Sequence, residues 1–173
     1  MTGEETKHWK FHHLGVIVAD MEKVVEYYRS LGFVDILPAR DRSTPPPTWV
    51  EMTTYGETVL ADGEALVPPK PGDMSPPNTW CRIGSMTLEI IQPGEGGWKN
   101  VNRDFLENVG EGINHIAYMI NGEHFEQEVE KMKSRGLEIV LSGRQSTGGG
   151  FVYFDTRKAG GIITELMSYP SQS

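Results

Sequence analysis

One cysteine, Cys81, is all that 173 residues provide, so no internal disulfide can form and a reducing compartment suits the chain. Basic residues are also scarce, 16 against 24 acidic, which leaves a formal charge of -8. With no basic stripe to displace counterions, a nucleic-acid backbone is excluded as the main partner. No apolar run approaches the roughly 20 residues needed to cross a bilayer, so no membrane partner is expected. The opening MTGEETKHWK has no apolar stretch of the kind that forms a signal peptide, and the expected localisation is cytoplasmic. What is present, 38% hydrophobic and 9% aromatic residues, suits a globular protein built around a packed core.

The informative feature is a repeat. Residues 11–36, FHHLGVIVADMEKVVEYYRSLGFVDI, and 113–140, INHIAYMINGEHFEQEVEKMKSRGLEIV, each read as strand, helix, glycine, strand. Met21, Val24, Val25, Tyr28 and Leu31 follow the spacing of one buried helical face, as do Phe125, Val129, Met132 and Leu137. Gly32 and Gly136 fall where a helix end needs a residue tolerant of positive φ. Each half closes on two further strands: Trp80–Ile83 with MTLEIIQP, and GFVYF with IITELMSYP. The predicted fold is α+β, two tandem βαβββ modules forming a curved, mostly antiparallel sheet around a metal-binding cleft. Module one covers 9–93 and carries a Pro-rich surface insertion at 41–79, a candidate lid in which prolines exclude a central strand or long helix through most of the stretch. A linker at 94–112 is predicted to hold a short helix over Trp98–Val109, with Trp98, Val101, Phe105 and Val109 on one side. Module two covers 113–170.

Four polar residues recur at matching places. His13 and His115 lie on the first strand of each repeat, and Glu89 and Glu165 on the last. A carboxylate in so apolar a strand is costly to bury unless paired, protonated or bound to a cation. Each residue alone reads more simply: a hydrogen-bonded core histidine, or a glutamate facing solvent from an edge strand. Their shared symmetry is what points to one divalent ion held by two nitrogen and two oxygen donors. Co, Mn, Ni, Zn and Fe(II) all accept that mixture.

The stretches HHLGVIVADMEKVVEYYRSLGF, MTLEIIQP, GINHIAYMI and GGIITELMSYP resemble the glyoxalase/bleomycin resistance/dioxygenase group, the vicinal oxygen chelate superfamily. Within it the chain is most similar to methylmalonyl-CoA epimerases, through NHIAYMI, the TGGG loop and ELMSYP. The resemblance implies His13, Glu89, His115 and Glu165 as metal ligands, and an epimerase or isomerase that works through the enolate of a 2-substituted malonyl-type acyl-CoA. It further implies an acid–base group on each enolate face, with Glu165 or Glu89 as a displaceable ligand and Glu51, in TWVEMTTYG, as the candidates; Glu51 otherwise reads as a solvent-facing strand residue. Glu at position 89, where such epimerases often carry Gln, is similar instead to bacterial glyoxalase I. The alternatives are therefore a glyoxalase I-like lyase acting on a hemithioacetal, or a non-catalytic binding protein. Arg157, Lys158 and the Gly148–Gly150 loop read either as a grip on an anionic tail or as an ordinary hairpin connection. A homodimer is expected, as for many enzymes of this size.

Overall fold

A computed structural model describes residues 6–32, 34–37, 49–61, 78–94, 100–146 and 148–169. The elements run β1 (Trp9–Ile17), α1 (Met21–Leu31), β2 (Asp35–Ile36), β3 (Trp49–Thr54), β4 (Glu57–Ala61), β5 (Asn78–Ile83), β6 (Met86–Ile91), α2 (Val101–Asn108), β7 (Gly112–Ile120), α3 (Gly122–Ser134), β8 (Ile139–Gln145), β9 (Gly150–Phe154) and β10 (Ile163–Ser168). The tandem βαβββ order is present: β1-α1-β2-β5-β6, then β7-α3-β8-β9-β10. Between β2 and β5 the first copy carries an additional hairpin, β3–β4, inside the Pro-rich insertion. Trp49, Val50, Thr53, Thr54 and Thr58 supply strand-forming residues in the one part of the insertion that lacks proline. The prolines at 45–47, 68, 69, 71, 76 and 77, and the lid expected there, lie outside the described residues.

The chain divides into two compact units, neither continuous in sequence. One comprises His13–Pro46 and Val67–His115. Its strands lie in the order β2-β5-β6-β1, with β1 parallel to β6 and the other pairs antiparallel. Alternation along these strands sorts their side chains onto two faces. Leu14, Val16, Val18, Cys81, Leu88 and Ile90 form one face and pack against Met21, Val24 and Tyr28 of α1. Asp20 starts that helix by accepting a hydrogen bond from the Lys23 amide at 3.0 Å, and Gly32 ends it at φ 72°. Leu31, expected on the buried side, is exposed because it belongs to the last, fraying turn.

The other unit comprises Met1–His12, Pro47–Leu66 and Ile116–Ser173. Here β10, β9, β8, β3 and β4 lie side by side, all antiparallel. Phe125, Val129 and Met132 of α3 bury their side chains against Ile120, Val152, Phe154 and Leu166, as the helical spacing predicted. Each such burial is worth about 1.5–3 kcal/mol.

The linker helix is real but shorter than expected. α2 spans Val101–Asn108, capped by the Asn100 side chain on the Asn102 amide at 2.9 Å. Val101 is fully buried, yet Val109 is 72% exposed, so the predicted apolar side does not extend past the helix end. Trp98 lies outside the described residues.

Candidate metal centre

On the face of the first unit turned away from α1, three side chains converge. His13 comes from β1, Glu89 from β6 and His115 from β7. Their ligating atoms all lie within 4.8 Å of one another. His13 Nε2 is 3.2 Å from His115 Nε2, and Glu89 Oε2 is 3.2 Å from the first and 3.8 Å from the second. Both histidines are at most 1% exposed, and the Glu89 side chain is 12% exposed.

The register explains the meeting. Gly15 on β1 is opposite Glu89 on β6, and Trp80 on β5 is opposite Glu89 on its other side. His13 lies two residues before Gly15, hence on the same face. The indole of Trp80 sets its ring at 4.9 Å and 83° to the imidazole of His13, a preferred edge-to-face contact. Gly15 leaves the space into which His115 fits. A Cβ there would stand 1.8 Å from His115 Cε1 and 2.1 Å from Nε2.

The charges are tuned for a cation. Burial pushes the His115 imidazole down to about 3, reinforced by His13 and opposed by the Glu89 charge. It is therefore neutral at physiological pH, the form that ligates a metal. For Glu89, burial alone would raise the carboxyl, but the His13 hydrogen bond, the charges of His13 and His115, and Asn78 hold it below its ordinary value. The Nδ1 of His115 meets Asn114 Oδ1 at 3.1 Å. As assigned from that contact, Nδ1–H donates to Asn114 and Nε2 turns its lone pair toward His13 and Glu89. Two imidazoles and one carboxylate form a donor set that fits a divalent transition ion. Replacing Asn114 by Ala is expected to weaken Co(II) or Zn(II) affinity by roughly 10- to 100-fold, read by competition with a chromophoric chelator.

The remaining sequence-predicted residues lie in the other unit. Glu165 is 5% exposed on β10, opposite Tyr153 of β9, and on the face turned away from α3. Glu51 is about half exposed on β3, 3.7 Å from Arg144 Nε, and Arg144 in turn binds Glu126 at 2.6 Å. Arg157 is engaged with Asp155 at 2.7 and 2.9 Å, which holds that carboxyl below its usual range. Gly15, Asn78, Trp80 and Asn114 were not singled out from the sequence. Only Gly15 carried a signal, a glycine inside a strand pattern, which often marks a close approach.

The profile of the Glyoxalase/Bleomycin resistance protein/Dioxygenase superfamily matches residues 12–154, and the chain belongs to that family. Its fold is similar to a hypothetical protein from Bacillus halodurans C-125, with TM-score 0.59 and 18% identity over 95% of this chain and 97% of that one. It is similar to the methylmalonyl-CoA epimerase from Mycobacterium tuberculosis, with TM-score 0.56 and 15% identity over 94% and 88% of the two chains. A Streptomyces coelicolor methylmalonyl-CoA epimerase in complex with 2-nitronate-propionyl-CoA gives 0.57 and 16% over 94% and 98%. At these identities the likeness concerns the fold alone. No curated protein sequence shows significant similarity to the chain. Among the described residues no helix is long and apolar enough to cross a membrane.

Proposed function

We propose that the protein is a metal-dependent epimerase or isomerase acting through the enolate of a 2-substituted malonyl-type acyl-CoA. The observation that carries this reading is the convergence of His13, Glu89 and His115 within one 4.8 Å cluster, buried and charge-matched to a divalent ion. The substrate class draws support from similar structures that are methylmalonyl-CoA epimerases. On the symmetry of the repeat, Glu165 is the fourth ligand, because it stands in the second copy where Glu89 stands in the first. A bound Co, Mn, Ni, Zn or Fe(II) ion would supply Lewis acidity toward the adjacent thioester and carboxylate oxygens. The chain's own groups do the proton work. A Glu165 carboxylate oxygen takes the α-proton on one face, and Glu51 returns one on the other. The active form is a cytoplasmic homodimer.

A specific observation favours a second reading. Glu89 is a carboxylate where such epimerases often carry an amide, and it sits within the cluster. A glyoxalase I-like lyase on a hemithioacetal shares the four-ligand set. A non-catalytic binder does not need it.

Solvent-deuterium incorporation into methylmalonyl-CoA, with the protein reconstituted in each metal, separates these. Metal-dependent exchange that is lost in His115→Ala supports the epimerase. Tight metal binding without exchange directs the search to hemithioacetals, and absence of metal binding leaves the binder. In the epimerase, Glu165→Gln is expected to lower exchange by roughly 10²- to 10⁴-fold. Glu51→Gln should leave exchange of one enantiomer while abolishing interconversion; equal loss of both would remove Glu51 from its assigned role.

A further inference from the structure

The two oxygens of Glu89 are not equivalent. Oε2 faces both histidines, at 3.2 and 3.8 Å. Oε1 accepts a hydrogen bond from Asn78 Nδ2 at 2.6 Å. Asn78 is the first residue of β5 and lies two positions before Trp80, the residue directly opposite Glu89. Residues two apart on a strand share a face, and a diagonal neighbour on the next strand lies within reach of a long side chain. Asn78 therefore reaches Glu89 from the strand edge, while Trp80 covers His13 from the same strand.

An unrestrained carboxylate can present both oxygens to one cation. Here Oε1 already spends one lone pair on an uncharged amide donor, Asn78 Nδ2, which fixes how the carboxylate is turned. We propose that Asn78 is a positioning residue that holds Glu89 to a single donating oxygen and so keeps a coordination position open for the substrate. The inference rests on the metal-site reading above and deepens it. Chelation of two adjacent substrate oxygens requires two open positions. While Glu165 is still bound, a six-coordinate ion with four protein ligands would have those two positions only if each ligand gave one donor atom, and a bidentate Glu89 would remove one of them. The outward oxygen of Glu89 is thus as consequential as the inward one.

The test uses the full chain loaded with Co(II), comparing the wild type with Asn78→Ala and Asn78→Gln. Infrared difference spectra, with ¹³C-glutamate labelling, report the separation of the antisymmetric and symmetric carboxylate stretches, which is wide for one-oxygen and narrow for two-oxygen coordination. Visible titration with oxalate, a bidentate oxygen donor, reports the open positions. Asn78→Ala is expected to narrow the separation and weaken oxalate binding about tenfold, while Co(II) affinity is kept or rises. A purely structural role would instead lower Co(II) affinity without moving the stretches. Asn78→Gln, which retains the amide, should recover part of the wild-type spectrum. Unchanged stretches and oxalate affinity in a Co(II)-loaded Asn78→Ala protein would overturn the proposal. A wild type that binds no Co(II) would overturn both it and the metal site, whereas a wild type that binds Co(II) but epimerises nothing would overturn only the assigned reaction.

Discussion

Gly15→Ala is expected to abolish tight metal binding although the alteration adds one methyl group and touches no ligand in the sequence. The added Cβ would stand 1.8 to 2.3 Å from three atoms of the His115 imidazole. No rotation of a methyl relieves that overlap, because Cβ is fixed by the backbone of β1. His115 must move instead, and it is fully buried with Nδ1 tied to Asn114. The cost of such overpacking is about 1–3 kcal/mol of stability, small enough for the fold to survive. The metal site has no comparable slack, since ligand atoms tolerate only a few tenths of an ångström. Isothermal titration with Zn(II) should show affinity reduced by at least about 100-fold, alongside a far-ultraviolet spectrum like that of the wild type. Wild-type affinity in the variant would mean that His115 does not sit against Gly15 when metal is bound.

The second large effect concerns acid. In the metal-stripped protein the His115 imidazole titrates near 3, against 6.5 for an unperturbed histidine. The unfolded chain therefore takes up this proton first as pH falls. The stability gained from keeping His115 neutral is complete above about 6.5 and is lost progressively from there down toward 3. Glu89, whose folded value is lowered, adds in the same direction at more acidic pH. The unfolding free energy of the apo protein, from urea titrations, should fall with a limiting slope of about 1.4 kcal/mol per pH unit for one proton. His115→Gln, which cannot take up the proton, should flatten the upper part of that profile. A wild-type profile already flat between pH 6 and 4 would contradict the buried neutral imidazole. Bound metal steepens the same trend, because protons compete for its ligands.

The elements legible in the sequence were those with periodic apolar faces. Both α1 and α3 were set by their i, i+3, i+4 spacing, and Phe125, Val129 and Met132 occupy the places expected of them. The repeat also located His13, Glu89 and His115, because equivalent strand positions in two copies are a stronger signal than any single residue. Three features were not legible for physical reasons. Of the β3–β4 hairpin only the segment around Glu51, in TWVEMTTYG, resembled a strand; its partner β4 was obscured by the prolines on either side. Val109 was assigned to a helix face that ends one residue earlier, and boundaries depend on capping more than on periodicity. Asn78 and Asn114 hold ligands through hydrogen bonds that depend on register, and register across β5, β6 and β7 is not written in any one strand.

The β3–β4 hairpin has a consequence for how the chain is made. Thr53 of β3 pairs with Ser142 of β8, so this edge waits for residues nearly 90 positions downstream. A nascent chain that has emerged only as far as α2 has already exposed the edge of β3 with no neighbour on that side, a state prone to pairing with other copies. Such distant pairings close slowly because the intervening loop must first lose its freedom. Although the gene reads as two tandem halves, cutting it between them would yield a first fragment bearing an orphan strand. Co-expression of the second half, rather than refolding of the first alone, is what should restore its solubility.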